Sequence, residues 1–274
     1  MASTAAPSVS GELRSLLRRL KLGRTLETLP ERLALARANN LGHAEFLELV
    51  LADEVDRRDR TSAGLRARAA HLDPAMVADA WDDTAAVTYD RALWSELTTL
   101  RFVENANNVL ALGPVGVGKT FMATALGHIA CRRGISVAFE RADHLLKRLK
   151  ASRLDASHDV EMRKLIKVDL LIIDDFALSV MDPAETADVY ELIVERHRRA
   201  ATVITSNRDP VEWLAVMADG LLAQSAIDRL TSAAYELVLE GDSYRRRQKP
   251  HIPGRDLPAA PEPTKRPRRP GEAS

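Results

Sequence analysis

Asn108-Val-Leu-Ala-Leu-Gly-Pro-Val-Gly-Val-Gly-Lys-Thr120 is the stretch that decides the fold of this 274-residue chain. It contains the spacing G-x-x-x-x-G-K-T, which is typical of a glycine-rich turn that binds phosphate between a strand and a helix. Residues 109–112 form a short apolar run suited to a buried parallel strand. After Thr120 apolar residues recur at helical spacing, and Gly134 stands where that helix is expected to end. The sequence therefore predicts a nucleotide-binding loop between a strand and a helix.

The residues of this loop suit the chemistry of a phosphate site. Glycines allow backbone N–H groups to face a phosphate, and the helix N-terminus adds the positive end of its dipole. We expect Lys119 to reach the β- and γ-phosphates of the nucleotide, and the Thr120 hydroxyl to bind Mg²⁺. The predicted nucleotide-binding residues of the loop are Gly113, Pro114, Val115, Gly116, Val117, Gly118, Lys119 and Thr120.

A second apolar run, at residues 170–173, is followed by two acids, Asp174 and Asp175. Because ligands of parallel sheets bind at the carboxyl ends of the strands, both acids are expected beside the phosphates. Asp174 is predicted to hold Mg²⁺, directly or through water, and Asp175 to orient or deprotonate an attacking water. The next predicted strand leads to Asn207, whose neutral amide can position that water, although asparagine is also common in turns.

The composition limits the classes of function. The chain carries 39 Lys and Arg against 39 Asp and Glu, so any contact with nucleic acid must come from local basic patches. The lone Cys131 excludes an internal disulfide and a cysteine-based metal site, and it is expected in the core. No apolar run approaches the length of a membrane span, and residues 1–10 lack a signal-peptide core. These features favour a cytoplasmic protein without a membrane partner.

The chain is predicted to divide into segments of different composition. Residues 1–10 are small and polar and are expected to be disordered, whereas 11–70 are predicted to form a helical domain that binds DNA or a partner. Residues 71–100 are predicted to form a connector anchored by Trp81 and Trp94. Residues 101–249 alternate strands and helices, and 250–274 are predicted to form a disordered tail rich in Pro and Arg.

Basic residues of the N-terminal helices have two interpretations. Arg57, Arg60 and Arg68 fall on roughly one side of a predicted helix. They could form a solvated face, or they could contact DNA phosphates. Under the second interpretation, the residues expected to bind duplex DNA are Arg14, Arg18, Arg57 and Arg60, with the basic tail as a further contact.

The order of the predicted elements indicates an α/β fold. Apolar runs predict strands near 109–112, 135–139, 170–173, 201–205 and 235–239, and helical spacing predicts helices near 142–150, 184–198 and 221–230. Strands that alternate with helices are typical of a parallel sheet flanked by helices. The sequence therefore predicts a P-loop NTPase fold, preceded by a small all-helical N-terminal domain.

Together these motifs resemble the AAA+ ATPases, and more closely the IstB-type transposition helper ATPases, whose relatives include the DnaC helicase loaders. The resemblance covers about residues 13–249. It rests on the P-loop block and on Asp169-Leu-Leu-Ile-Ile-Asp-Asp175, Thr205-Ser-Asn207, Asp228-Arg-Leu230 and Glu240-Gly-Asp-Ser-Tyr-Arg245. The resemblance implies that the P-loop fold is of the AAA+ type and that the nucleotide is ATP.

The resemblance also implies roles for single residues and for partners. The family's sensor falls on Asn207, its arginine finger on Arg229, and a second arginine that contacts nucleotide or a neighbour on Arg245. Members assemble with ATP into homo-oligomers on duplex DNA and work with an integrase-like transposase. From local sequence alone, Arg229 could instead pair with Asp228 or Glu240. This chain departs from many AAA+ proteins at Asp175, where they have Glu, so its rate of hydrolysis stays open.

The main hypothesis is an ATP-dependent, DNA-binding helper ATPase that assembles on target DNA and assists a transposase. The nearest alternative is a DnaC-like replicative helicase loader, with the same ATPase core and a different partner. A small-molecule kinase would need an acceptor pocket and a mobile lid, whereas the implied roles of Asn207 and Arg229 favour hydrolysis between protomers. A scaffold that binds ATP without turnover also stays open because of Asp175.

Overall fold

The computed structural model describes residues 9–82 and 87–244 of the chain. The predictions made for residues 1–8, for Arg245 and for the Pro/Arg-rich tail lie outside this part. The α-helices are α1 (Gly11–Arg19), α2 (Leu29–Ala38), α3 (His43–Ala69), α4 (Arg91–Thr98), α5 (Arg101–Glu104), α6 (Lys119–Arg132), α7 (Ala142–Ser152), α8 (His158–Lys167), α9 (Pro183–Arg196), α10 (Pro210–Trp213) and α11 (Gly220–Thr231). The strands are β1 (Val87–Thr88), β2 (Asn108–Leu112), β3 (Val137–Arg141), β4 (Leu170–Asp174), β5 (Ala201–Ser206), β6 (Ala234–Val238) and β7 (Glu240–Gly241).

Five strands form a parallel sheet in the order β3-β4-β5-β2-β6, which confirms the predicted fold class. Every residue of β2, β4 and β5 is buried, because helices cover both faces of the sheet. Leu112 pairs with Ser206, and Ile173 pairs with Ile204. The carboxyl ends of β2, β5 and β4 therefore lie side by side, which places the segments that follow them at one edge.

The two faces of the sheet carry separate apolar clusters. On one face, residues of α7, α8, α9 and α11 pack together, and the buried Trp213 meets Phe176 edge to face with ring centroids 4.9 Å apart. On the other face, α6 packs between the sheet and the end of α3, with Leu72 and Leu97 in the same cluster. The P-loop helix α6 is thus held from both sides, which fixes the loop at its N-terminus.

Helix α8 has no counterpart among the helices predicted from the sequence. It buries only Met162 and Leu165 among many charged residues, so its apolar periodicity is weak. Its carboxyl end is held by the buried Arg196, whose guanidinium donates to the carbonyls of Leu165 and Val168 at 2.8 Å. Burial lowers the pKa of Arg196 to about 10, and backbone carbonyls supply its hydrogen-bond acceptors. This contact joins α9 to the end of α8.

The N-terminal helices are joined by ion pairs. Arg32 of α2 forms a two-fold hydrogen bond with Asp53 of α3, at 2.6 and 2.9 Å. The buried Glu54 accepts from Arg57 and Arg58, and these hydrogen bonds, with that from Arg57 the strongest, lower its pKa to about 2. The guanidinium of Arg57 is therefore already bound to a carboxylate, while its role as a DNA contact stays a prediction.

Helix α3 connects the N-terminal helices to the domain that contains the parallel sheet. Ala63 and Ala67 are buried, and Arg66 donates to the carbonyl of Cys131 on α6 at 2.8 Å. Cys131 is itself buried, as expected for a lone cysteine on this helix. None of the helices in 9–82 and 87–244 combines the length and the apolar character needed to span a membrane.

Candidate nucleotide-binding site

The loop between β2 and α6 has the conformation of a phosphate-binding turn. Gly113, Gly116 and Gly118 have φ angles of +141°, +88° and +102°, a region that favours glycine. Lys119 begins α6, so the first helical N–H groups open onto the loop. A helix N-terminus with a glycine-rich turn in front of it is a binding site for anions. Residues 113–118 thus form a turn before α6 as expected, and their binding to a nucleotide stays a prediction.

The segment that follows β6 covers this loop closely. A Cβ atom added to Gly113 would collide with the carbonyl of Leu239, and one added to Gly116 would collide with the side chain of Ser243. The amide of Tyr244 donates to the carbonyl of Gly116 at 2.9 Å. Glycine is therefore required at both positions by space as well as by backbone conformation.

Trp81 lies against the P-loop from the segment between α3 and α4. A Cβ on Gly118 would stand 2.7 Å from the indole ring of Trp81. The same ring packs against Phe121 with centroids 5.3 Å apart and meets Tyr89 edge to face at 5.9 Å. Trp81, predicted as an anchor of the connector, thus packs the connector directly against the P-loop.

Lys119 is a buried cation at the mouth of the loop. Its side chain is 7% exposed, and its Nζ donates to the carbonyls of Gly113 and Pro114, both at 2.7 Å. These neutral partners hold the ammonium group among the residues predicted to surround the phosphates. An ammonium in this position can form charge-assisted hydrogen bonds with phosphate oxygens.

Thr120 and Asp174, the two predicted Mg²⁺ ligands, are in contact. The Thr120 hydroxyl donates to Oδ1 of Asp174 at 2.8 Å, and Asp174 is only 4% exposed. Burial raises the pKa of Asp174, while hydrogen bonds from Thr205 and Thr120 act in the opposite direction. A hydroxyl and a carboxylate suit Mg²⁺, which prefers oxygen ligands and takes several from phosphates and water. Within 9–82 and 87–244, no group of three or more His, Cys, Asp or Glu forms a separate metal cage.

Asp175 lies at the turn that follows β4. Its φ is +56°, and its amide donates to the Thr205 hydroxyl at 3.0 Å. The carboxylate is about half exposed, and its Oδ2 stands 4.0 Å from Nη2 of Arg141, the last residue of β3. An exposed carboxylate next to the buried Asp174 has access to water, which the predicted role of Asp175 requires.

Asn207 follows β5 directly and is exposed. Since Ser206 pairs with Leu112, Asn207 emerges next to the start of the P-loop at Gly113. β5 also neighbours β4, so the chain beyond β5 passes between the loop and the two acids. The topology therefore brings the predicted sensor to the same edge as Lys119 and Asp175.

Arg229 lies on α11 and turns back on its own helix. Its Nη1 donates to the carbonyl of Ser225 at 2.8 Å and also to the Ser225 hydroxyl. Among the described residues its hydrogen bonds do not go to Asp228 or Glu240, the partners that local sequence also allowed. The role of Arg229 as an arginine finger stays a prediction.

Sequence reasoning missed two groups of residues at this site. Thr205 bonds to both acids, and Ser243 and Tyr244 cover the P-loop. Thr205 begins the block Thr205-Ser-Asn207 that carries part of the family resemblance, and it is a polar residue near the end of an apolar strand. For Ser243 and Tyr244 the signal is their place in the block that carries the family resemblance.

The parallel sheet, the glycine-rich loop after β2 and the acids at the end of β4 define a P-loop protein of the AAA+ type. Solved structures agree at the level of the fold. The chain is similar to the replication initiator DnaA bound to AMPPCP and single-stranded DNA, with a TM-score of 0.51, 20% identity and coverage of 62% of this chain and 51% of that chain. It is similar to DnaI with a TM-score of 0.52 and 20% identity, over 60% of this chain and 90% of that chain.

Within this class, the family model for IstB-like ATP binding proteins matches residues 15–251, and the chain belongs to that family. A relative from Mycobacterium tuberculosis is 37% identical over 239 residues, which cover 87% of this chain and 95% of the relative. Its name describes an ATP-binding protein in an insertion sequence. The predicted IstB-type family is therefore confirmed.

Proposed function

We propose that this chain is the helper ATPase of an insertion sequence: it binds ATP with Mg²⁺, assembles on duplex target DNA and assists an integrase-like transposase. The observation that carries the proposal is the meeting of the P-loop, Asp174, Asp175 and Asn207 at one edge of the sheet. The family supports ATP as the nucleotide, and the relative's place in an insertion sequence supports the link to transposition.

The side chains at this edge divide the work of hydrolysis. Lys119 would bind the β- and γ-phosphates, and Thr120 and Asp174 would hold Mg²⁺, which would neutralise phosphate charge. Asp175 accepts a proton from the attacking water or orients it, and Asn207 positions the same water through its neutral amide. P-loop NTPases divide these tasks in the same way, so each residue has a chemical precedent in its class.

Arg229 acts on the nucleotide of a neighbouring protomer. Its partners in Ser225 are neutral, so exchanging them for a phosphate requires no ion pair with Asp228 or Glu240 to be broken. An arginine finger stabilises negative charge that develops on the transferred phosphoryl group. ATP turnover therefore depends on assembly into a homo-oligomer.

The N-terminal helices supply the phosphate contacts to DNA. Arg14 and Arg18 on α1 and Arg60 on α3 are exposed. The guanidinium of Arg57, in contrast, is already paired with the carboxylate of Glu54. In a chain of zero net charge, such local clusters carry the attraction for DNA. Outside the described residues, the basic tail is proposed as a further DNA contact, and Arg245 stays a predicted contact of the nucleotide or of a neighbouring subunit.

A DnaC-like helicase loader is the second candidate, because the sequence motifs also resemble those of the DnaC loaders; the solved structure of DnaI is similar to this chain. That likeness concerns the fold alone, whereas the relative's name places an ATP-binding protein of 37% identity in an insertion sequence. The two candidates share the ATPase core and differ in the protein that binds the assembly. Identifying the protein that binds the assembly therefore separates the two candidates, whereas an ATPase assay does not.

The test combines phosphate release with a measurement of assembly size by analytical ultracentrifugation. Wild type with ATP and duplex DNA is expected to form oligomers and release phosphate, and Lys119→Ala is expected to do neither. Capture of the transposase encoded beside the gene, and not of a replicative helicase, supports the helper role. Monomers under all conditions, or ATP consumed only with a phosphorylated small molecule as product, would contradict the proposal.

A further inference from the structure

Within the described part of the chain, Thr205 is the one residue whose side chain forms hydrogen bonds with both acids of the site. It is fully buried near the end of β5, with 0% exposure. Its hydroxyl donates to Oδ1 of Asp174 at 2.6 Å and accepts the amide of Asp175 at 3.0 Å. A single hydroxyl thus connects the carboxylate of one acid to the backbone of the next.

The direction of these two hydrogen bonds is fixed by chemistry. A threonine hydroxyl has one proton and two lone pairs, whereas a backbone N–H can only donate. Because the Asp175 amide occupies a lone pair, the hydroxyl proton remains for Asp174. The two hydrogen bonds therefore fix the orientation of the Thr205 hydroxyl. The donated proton in turn orients the carboxylate of Asp174 through its Oδ1 atom.

The backbone at Asp175 needs this support. Its φ of +56° lies in the left-handed region, which residues other than glycine adopt infrequently. The β4–β5 ladder ends at the pair Ile173 and Ile204, and beyond it the amide of Phe176 donates to the carbonyl of Thr205 at 2.9 Å. Two successive amides after Asp174 thus bond to Thr205, one to the hydroxyl and one to the carbonyl. Where β4 ends, the Thr205 hydroxyl therefore accepts the Asp175 amide in place of a backbone carbonyl of the ladder.

We propose that Thr205 is a positioning residue for ATP hydrolysis, because its hydroxyl sets the carboxylate of Asp174 and the backbone of Asp175 together. This inference rests on the proposed ATPase function. Valine at this position keeps the shape and the preference for a strand but has no hydroxyl. Serine keeps the hydroxyl, so it is expected to preserve the connection between the two acids.

Thr202 offers a matched control on the same strand. It is also buried, and its hydroxyl accepts a hydrogen bond from Nε of Arg196 at 3.1 Å, away from the acids. Thr202→Val therefore removes one buried hydroxyl and one hydrogen bond from β5 without touching Asp174. The comparison separates positioning of the acids from general weakening of the strand.

The experiment measures kcat and KM for ATP, ATP affinity by calorimetry and melting temperature. Thr205→Val is expected to lower kcat by about ten- to a hundredfold, as the loss of a hydrogen bond to a charged positioning group predicts. Its ATP affinity should stay within about threefold of wild type. It should still unfold cooperatively, with a melting temperature below that of Thr202→Val because it loses two hydrogen bonds instead of one. Thr205→Ser and Thr202→Val should each keep kcat within about threefold of wild type.

A near-normal kcat in Thr205→Val, an equal loss in Thr205→Ser, or a loss of ATP binding in a folded variant would each overturn the inference. If Thr205→Val fails to fold, Thr205→Ala removes the hydroxyl without placing a methyl group in its position, and Thr202→Ala is then the control. A wild type that releases no phosphate with or without DNA refutes the ATPase function itself. An active wild type with an equally active Thr205→Val refutes only the role of Thr205.

Discussion

Gly116 of the P-loop has two reasons to be glycine: its positive φ and the lack of space for a Cβ atom. Measuring Gly116→Ala beside Gly134→Ala separates these two effects. Both glycines have a positive φ, +88° at Gly116 and +81° at Gly134. A Cβ on Gly134 meets no heavy atom within 4 Å, whereas a Cβ on Gly116 would overlap the side chain of Ser243. Gly134→Ala therefore reports backbone strain alone.

The size of each effect follows from these contacts. An L-residue in the left-handed region costs about 1–2 kcal/mol, which is the expected loss for Gly134→Ala. In Gly116→Ala, Ser243 must also move, and the hydrogen bond from the Tyr244 amide to the Gly116 carbonyl is lost with it, at about 0.5–1.5 kcal/mol. The free energy of unfolding should fall by about 1.5–3.5 kcal/mol.

Urea unfolding and ATP calorimetry of both variants provide the assay. We expect Gly134→Ala to bind ATP like wild type, and Gly116→Ala to bind it at least about tenfold more weakly, because the phosphate loop is displaced. Equal ATP affinity in the two variants, or equal stability, would show that the segment through Ser243 does not constrain the P-loop. In that case, the lack of space for a Cβ atom beside Ser243 does not explain why residue 116 is glycine.

Three further predictions concern assembly, acid stability and DNA. Lys119→Ala and Arg229→Ala should each lack ATP turnover, and mixing them should restore part of it; a mixture that co-assembles and stays inactive would exclude action in trans. The N-terminal helices should lose stability as the pH falls from 4.5 toward 2, because the pKa of Glu54 is lowered from 4.5 to about 2 in the folded chain, mainly by Arg57. Circular dichroism should show a smaller loss over this range in Glu54→Gln, and an identical acid transition would refute the role of this pair. Affinity for duplex DNA should fall by about 0.9 log units per phosphate contact for each tenfold rise in salt, and Arg14→Ala should reduce that slope; a slope near zero would argue against phosphate contacts.

The parallel-sheet core and its P-loop could be predicted from sequence because their signals are local. The strands at residues 109–112 and 170–173 are continuous apolar runs, and the glycine spacing of the P-loop lies within one short block. The carboxyl-end rule for parallel sheets then placed the acids of the second strand near the loop, and the register of β2, β5 and β4 agrees. Short-range pattern and a general topological rule were sufficient here.

Contacts between distant segments could not be predicted in this way. The bond between Thr205 and Asp175 depends on where β4 ends against β5, and the packing of Ser243 on Gly116 depends on the path of the chain beyond β6. Helix α8 was missed because two buried residues give too weak a period. The sequence pattern also could not show that Arg57 bonds to Glu54, since charges on one helix face suit solvent, DNA and ion pairs equally.

The most direct test of the account compares ATP binding and ATP turnover in wild type and Asp175→Asn. Binding measured by calorimetry should be unchanged, because the amide keeps the shape of the side chain and the P-loop is intact. Phosphate release in the presence of duplex DNA should be lost, because the amide cannot accept a proton from water. Asp159→Asn, at a highly exposed acid on α8, serves as the control and should release phosphate like wild type. Turnover at the wild-type rate in Asp175→Asn would contradict the assignment of this edge of the sheet as the site of hydrolysis.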